Sequence, residues 1–174
     1  MKEIEKTYLA KYIPEQVLKI TPKKVLDIYF PSTAVHPKLR LRQKGDKYEI
    51  TKKQLLNQGD ASEAEESTII LNQPEFQELS QLSGKKVEKN RYEYSLNGFI
   101  FEFDVFQGDL AGLVVVEVEF ISTEQKNNFM PPDFCFADVT QDEFVACGML
   151  AGKKYSDIED KLTKYDYQPI YLAN

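Results

Sequence analysis

The chain has 174 residues, of which 42% are hydrophobic and 29% charged, and its net charge is -6. This length and composition predict one globular domain over residues 1–174 rather than a disordered chain. The acidic pI near 5.0 argues against a general nucleic-acid-binding protein, which would normally carry a basic stripe. No apolar run approaches the roughly 18 residues of a membrane span, and Glu3 and Glu5 argue against a signal peptide. We therefore expect a soluble cytoplasmic protein that binds neither a nucleic acid polymer nor a membrane.

The side chains that most often serve in catalysis and metal binding are scarce. The two cysteines, Cys135 and Cys147, have no metal-type spacing and imply no disulfide framework, so we interpret them as small buried apolar residues. The one histidine, His36, lies in a loop. We therefore expect neither histidine-based catalysis nor a histidine-rich metal site.

The first third of the chain is predicted to form strands joined by short connections. Residues 2–12 alternate as in a strand, and Pro14 begins a short helix that ends near residue 20. A strand over residues 24–30 ends at a proline. Residues 39–43 and 47–53 are predicted to form a hairpin, because a Lys-Gly-Asp turn separates them.

The middle of the chain contains a polar stretch between regular elements. Residues 54–66 are polar and acidic, so we predict a mobile linker there, leading into a strand near residues 67–71. Asn72 is predicted to cap a helix that ends near residue 83. A second hairpin is predicted over residues 85–106, since Asn97-Gly98 is a strong two-residue hairpin signal.

The last third is predicted to hold one more strand and three helices. The strand spans residues 113–121, where valine dominates. Helices are predicted over residues 122–129, over residues 140–151 and from residue 156, because the first two begin with a cap residue followed by glutamate or glutamine. The segment from Tyr165 to Tyr171 either caps the site or builds a dimer contact, so a homodimer is left open.

These elements predict a mainly β protein of the α+β class. Seven or eight strands joined as hairpins pair antiparallel. A sheet of this kind must close or be covered, since open edges aggregate, and about eight strands close around one small ligand. The periodicity alone does not separate a barrel with a charged interior from a sandwich with a charged exterior.

Charged residues alternate along several of the predicted strands. Residues i and i+2 share one face of a strand, so each pair presents two like charges on one side. The acidic pairs are Glu3/Glu5, Glu102/Asp104 and Glu117/Glu119, and the basic pairs are Arg40/Arg42 and Lys89/Arg91. Any single pair is compatible with a solvated outer face. If the charged faces meet inside a closed sheet, the interior binds a metal and a polyanion together.

At these same residues the chain resembles the CYTH family, also called the triphosphate tunnel metalloenzymes. The similarity covers most of the chain, and its motifs occur in the family's order. The matching stretches are Glu3-Ile-Glu5, Leu39 to Arg42, Thr51-Lys-Lys53, Val87 to Tyr92, Phe101 to Gly108 and Val116 to Phe120. One such motif is a weak signal, whereas six in order are specific.

The resemblance implies a closed eight-stranded antiparallel β-barrel, a tunnel with flanking short helices, that hydrolyses a triphosphate with Mg²⁺ or Mn²⁺. It implies metal ligation by Glu3, Glu5, Asp104, Glu117 and Glu119, with Glu66 and Glu102 as further tunnel residues. It implies phosphate binding by Arg40, Arg42, Lys53, Lys89 and Arg91. Hard oxygen ligands suit these ions, and arginine and lysine suit phosphate. Lys89 and Arg91 are the implied catalytic residues, because they would stabilise charge near the reacting phosphorus.

The chain departs from the family pattern at three places. The family lysine that follows the two glutamates is Thr7 here, and a family glutamate after Glu66 is Thr68. The stretch Phe144 to Cys147 replaces a charged helix motif. Inorganic tripolyphosphate is the expected substrate. The alternatives are a non-catalytic module that binds polyphosphate or a nucleotide, a class IV adenylate cyclase and a thiamine triphosphatase.

Overall fold

The computed structural model describes residues 2–57 and 59–172. The strands in these residues are β1 (Lys2–Ala10), β2 (Lys23–Phe30), β3 (Leu39–Lys44), β4 (Lys47–Asn57), β5 (Asp60–Leu71), β6 (Lys85–Leu96), β7 (Phe99–Phe106), β8 (Val114–Glu119) and β9 (Cys135–Asp138). The α-helices are α1 (Glu15–Leu18), α2 (Gln73–Leu79), α3 (Thr123–Asn127), α4 (Cys147–Leu150) and α5 (Glu159–Thr163). No helix of the described residues is long and apolar enough to cross a membrane.

Eight of the strands close into an antiparallel barrel, which confirms the predicted fold. Neighbours around the ring run in the order β1, β5, β4, β3, β2, β6, β7, β8 and back to β1. The pairing of β1 with β5 closes the ring, and its register runs from Lys2↔Glu65 to Ile4↔Glu63. The remaining strand, β9, pairs with the far end of β1, beyond the residues that pair with β5.

The hairpin between β6 and β7 has the predicted bounds and turn. Both central residues of the turn have left-handed backbone angles, with φ of 52° at Asn97 and 80° at Gly98. Asparagine and glycine adopt these angles at low cost, and such a turn matches the twist of the flanking strands. The turn therefore fixes the register that pairs Arg91 with Asp104.

The predicted linker over residues 54–66 is wrong, because these residues extend β4 and β5. Gln58, within that stretch, lies outside the described residues. The polar side chains are used along the extended hairpin: Glu66 turns inward to Arg40, and Ser62 accepts a 2.6 Å hydrogen bond from Lys126 Nζ of α3. Thr123 Oγ1 likewise lies 3.0 Å from Glu63 Oε1. A polar stretch can therefore form strands when other parts of the fold supply polar partners for its side chains.

The single helix predicted over residues 140–151 is also wrong. The structure has a 3-10 turn over Glu143–Val145 and then α4, separated by an extended Ala146. Thr140 does not cap a helix, because its hydroxyl accepts a hydrogen bond from the backbone N–H of Thr7 at 3.0 Å. Side chains of this type compete with the helix for backbone groups. This contact and the unpredicted β9 hold the segment against β1.

Apolar side chains cover the outside of the barrel and fill one end of its interior. One outer cluster joins Phe101 and Phe103 of β7 to Phe134, and another places Phe76 of α2 over β2 and β3. A third cluster packs lumen-facing residues against α4 and α5; its members from β1, β7 and β8 are Leu9, Phe106 and Val115. Beyond this apolar end, the same faces of the strands carry charges.

Candidate active site: the charged tunnel

The carboxylates and the cations predicted for the site occupy different arcs of the barrel wall. Carboxylates line the neighbouring strands β7, β8, β1 and β5, at Glu102, Asp104, Glu117, Glu119, Glu3, Glu5 and Glu66. Cations line β4, β3 and β6, at Lys53, Arg40, Arg42, Lys89 and Arg91. All of the predicted site residues therefore lie on the inner face of the barrel. The predicted residues therefore form an acidic wall and a basic wall, and Glu49 of β4 and Glu93 of β6 add two carboxylates on the basic side.

Two adjoining cavities make up this interior. The first has a volume of about 480 Å³ and the second about 340 Å³. Both are lined by Glu5, Arg40, Lys53, Glu117 and Cys147, so they meet at these side chains. We call the combined space the tunnel.

Asp104 organises the most buried cations of the tunnel. Its Oδ1 accepts from Arg91 Nε at 2.6 Å, its Oδ2 accepts from Arg91 Nη2 at 2.5 Å, and Lys89 Nζ also donates to Oδ2. Lys89 is 2% exposed and Asp104 1% exposed. Burial and the neighbouring Arg91 charge lower the pKa of Lys89, but Asp104, Cys147 and Glu117 together outweigh them and the pKa is raised overall. Both cations therefore stay charged and point in a fixed direction.

Glu117 lies beside the same cations on the acidic wall. Its Oε2 accepts a 2.6 Å hydrogen bond from Arg91 Nη2, and Arg91 also donates to Glu102. Burial alone would raise the pKa of Glu117, yet Lys89, Arg91 and further cations lower it to about 2. This carboxylate is consequently ionised at every physiological pH.

Asp27 is a tunnel residue that sequence reasoning missed. It lies opposite Arg42 across β2 and β3 and accepts two hydrogen bonds from it, each 2.7 Å long. Burial opposes ionisation of Asp27, but the Arg42 guanidinium holds its pKa well below the usual range. The sequence does contain a clue: Asp27 is the one carboxylate in a largely apolar strand, and it shares a strand face with Val25 and Tyr29.

Lys53 joins the two walls of the tunnel. Its Nζ lies 2.5 Å from Glu5 Oε1 and 3.1 Å from Glu3 Oε2. Burial raises the pKa of Glu5; Lys53 counteracts this, whereas Glu117 and Glu3 add to the rise. Arg40 makes a longer contact, with Nη2 3.2 Å from Glu66 Oε2. The buried Nε of Arg40 has no hydrogen-bond partner among the described residues.

The acidic wall has the donor chemistry for a hard divalent cation. Burial and four neighbouring carboxylates raise the pKa of Glu119; these neighbours are Glu102, Glu3, Glu5 and Glu117. Crowded carboxylates of this kind are relieved by Mg²⁺ or Mn²⁺, which prefer oxygen ligands. Across residues 2–57 and 59–172, no group of three or more acidic, histidine or cysteine side chains is arranged as a metal site. Several of the carboxylates instead contact tunnel cations.

Of the positions that depart from the family pattern, Thr7 and the stretch from Val145 to Cys147 line the second cavity. Thr68 shares a 3.2 Å hydrogen bond with Thr51. Phe144 packs in the apolar end of the barrel. Cys147 is partly buried, and its Sγ accepts from Lys89 Nζ at 3.4 Å. His36 also lines this cavity, although no site role was predicted for it.

Comparisons with known proteins agree with this architecture. A family model described as CYTH domain matches residues 1–129. The inorganic triphosphatase of Nitrosomonas europaea is 36% identical over 145 residues, which cover 82% of this chain and 92% of that protein. A crystal structure of the inorganic triphosphatase NE1496 is similar with a TM-score of 0.62 and 31% identity, over 87% of this chain and 95% of that chain.

A more distant structure shows the fold alone. It is a putative adenylyl cyclase from Hippeastrum, 14% identical with a TM-score of 0.51, over 99% of this chain and 92% of that chain. The closed barrel, the segregated charges inside it and the family match over residues 1–129 lead to one assignment. The chain belongs to the CYTH domain family.

Proposed function

We propose that this protein is a metal-dependent triphosphatase that hydrolyses inorganic triphosphate inside the tunnel. The observation that carries the proposal is the basic wall of β3, β4 and β6 facing the acidic wall of β7, β8 and β1 in one cavity. A basic wall binds a polyanion, and an acidic wall binds the cations that accompany it. The inorganic triphosphatase of Nitrosomonas europaea, 36% identical over most of the chain, supports the choice of substrate.

The basic wall would bind the phosphates and stabilise the charge that develops during transfer. Arg40 offers its unpaired Nε, and Arg42 is oriented by Asp27. Lys89 and Arg91, both aligned by Asp104, would act near the reacting phosphorus. A water oxygen bonds to that phosphorus as the bridging P–O bond breaks, giving phosphate and pyrophosphate. Preorganised cations stabilise such a transition state without reorganising.

The acidic wall would hold Mg²⁺ or Mn²⁺ through Glu3, Glu5, Glu117 and Glu119, with Asp104 as a further ligand. When bound, the ion would neutralise phosphate charge and assist formation of the attacking hydroxide. Glu119 and Glu5 are the carboxylates whose pKa is raised, so they gain most from a cation. Asp104 would have to share its oxygens with Lys89 and Arg91.

Phosphate release tests the proposal directly. The purified protein is assayed with tripolyphosphate, pyrophosphate, ATP and thiamine triphosphate in Mg²⁺, Mn²⁺ or EDTA. We expect metal-dependent release that is fastest with tripolyphosphate and falls at least 10²-fold in Lys89→Ala, as for removal of a transition-state contact. Lys86→Ala is the matched control, because Lys86 is exposed on the same strand.

The other outcomes separate the alternatives. Absence of release from every triphosphate would refute the hydrolase, and binding of tripolyphosphate without turnover would identify a non-catalytic module. Preferred release of phosphate from thiamine triphosphate would identify a thiamine triphosphatase. Formation of a cyclic nucleotide from ATP would identify an adenylate cyclase. A cytoplasmic location and a homodimer stay predictions.

A further inference from the structure

Lys38 brings a further cation to the tunnel from the residue before β3. The Lys38 carbonyl accepts a 3.1 Å hydrogen bond from the backbone N–H of Lys53, so the pairing of β3 with β4 continues by one residue. Because side chains alternate along a strand, Lys38 shares the face of Arg40 and Arg42. It lines the second cavity together with Arg40, Lys53 and Thr7.

Lys38 differs in its partners from the five cations predicted for the site. Arg40, Arg42, Lys53, Lys89 and Arg91 each contact a carboxylate. The Lys38 Nζ lies instead 3.0 Å from His36 Nδ1 and 2.9 Å from His36 Nε2. Within the described part of the chain it forms no ion pair with a carboxylate. The His36 ring separates it from Glu143, whose Oε1 lies 2.5 Å from Nδ1.

Lys38 and Lys53 lie opposite each other at the end of the β3–β4 ladder, so two like charges adjoin in the wall of the second cavity, whose lining also holds carboxylates such as Glu5, Glu117 and Glu143. Partial burial lowers the pKa of Lys38; Glu143 opposes this, and Lys53 lowers the pKa further. Like charges on neighbouring strands destabilise a sheet. An anion between the two ammonium groups would remove this repulsion, and the unpaired Arg40 Nε offers such an anion a third donor.

We infer that Lys38, with Arg40 and Lys53, binds a terminal phosphate of the substrate in the second cavity and thereby selects triphosphate over pyrophosphate. The inference rests on the proposed function of the tunnel. The buried cations Arg42, Lys89 and Arg91 line the first cavity, whereas Lys38 lines the second. A third phosphate would add the contact with Lys38 to those made by the first two. Lys38 is a specificity-determining residue in this arrangement.

Calorimetric titration of tripolyphosphate and pyrophosphate with Mg²⁺ tests the inference. For Lys38→Ala we expect the Kd of tripolyphosphate to rise about tenfold, as for one lost charge-assisted contact, and the Kd of pyrophosphate to change less than twofold. Lys38→Arg should keep near-normal affinity. Lys52→Ala is the matched control, because Lys52 is exposed on the same strand pair; it should bind both ligands as the unaltered protein does.

A second variant tests the position of the cation. Thr7 lines the same cavity, so Thr7→Lys in the Lys38→Ala background should restore tripolyphosphate affinity to within about threefold. Unchanged affinity in Lys38→Ala, or an equal loss for both ligands, would overturn the inference while the proposed hydrolysis stands. If the unaltered protein neither binds nor cleaves tripolyphosphate, both proposals are refuted.

Discussion

Asp27 and Arg42 form a two-point ion pair inside the barrel, with Arg42 Nε 2.7 Å from Asp27 Oδ1 and Arg42 Nη2 2.7 Å from Asp27 Oδ2. Asp27 is 0% exposed and Arg42 7% exposed. A buried pair of this kind adds little net stability over apolar residues, but removal of one partner leaves an uncompensated charge. The pair therefore holds Arg42 in position for a ligand.

Asp27→Asn should destabilise the protein strongly at neutral pH. The substitution leaves the Arg42 guanidinium buried without its counter-charge, which typically costs about 3–5 kcal/mol. Urea unfolding would measure the free energy of unfolding. Asp109→Asn is the control, since Asp109 is exposed, and it should change that free energy by less than about 0.5 kcal/mol. Equal effects of the two substitutions would contradict the role given to Asp27.

The same pair predicts an acid-dependent loss of stability. The pKa of Asp27 is lower in the folded protein than its usual value of 3.8, so the unfolded chain binds the proton more readily. Its contribution to stability is therefore present above about pH 4 and is lost as the pH falls toward the lower folded value. Unfolding of the unaltered protein and of Asp27→Asn, measured from pH 7 to pH 2, should give curves that converge in acid. Parallel curves would exclude Asp27 as the source.

Glu119→Gln should distinguish the repulsion among the carboxylates of the acidic wall from their ability to bind Mg²⁺. Without divalent metal we expect a slightly higher Tm, by about 1 °C, because the amide removes repulsion from neighbouring carboxylates. With Mg²⁺ the unaltered protein should gain stability, and the variant should gain less. Scanning calorimetry in EDTA and in Mg²⁺ measures both changes. Glu88→Gln, on the exposed face of β6, should behave as the unaltered protein, and an undiminished Mg²⁺ shift in Glu119→Gln would remove it from the proposed ligands.

Gly148→Ala should disturb the segment that carries Lys38. A Cβ at Gly148 would lie 2.6 Å from the Pro37 carbonyl oxygen and 3.1 Å from His36 Cδ2. Overpacking of this kind forces the backbone to move and typically lowers the free energy of unfolding by about 1–3 kcal/mol. We expect a lower free energy of unfolding and a higher KM for tripolyphosphate. Gly84→Ala is the control, because its Cβ would contact Ile28 in the outer cluster; it should lower stability and leave KM unchanged.

The strand pattern predicted much of the fold and the site because alternation assigns charge and apolar side chains to opposite faces. Glu102 and Asp104 point inward while Phe101 and Phe103 are buried outside, as their spacing requires. The pattern did not decide between barrel and sandwich, since both alternate. Closure of the barrel depends on the pairing of β1 with β5. The β5 residues of this pairing, 63–65, lie in the stretch that was predicted to be a linker.

The ion pairs could not be predicted from the sequence, for a different reason. A pair such as Arg42 with Asp27 depends on the register between β2 and β3, which no local motif encodes. The same holds for Lys53 of β4 with Glu5 of β1, whose strands lie on either side of β5. Sequence motifs therefore identified most tunnel residues without showing which charge neutralises which.

The strand β1 carries Glu3 and Glu5, and it pairs with β5, β8 and β9. Its partners are distant in sequence: the hydrogen bond between Thr7 and Thr140 spans 133 residues. Contacts of such long range form slowly, because the entropy of closing the intervening chain is lost before they are made. Binding of metal or triphosphate during refolding would therefore report the final closure of the barrel rather than its early hairpins.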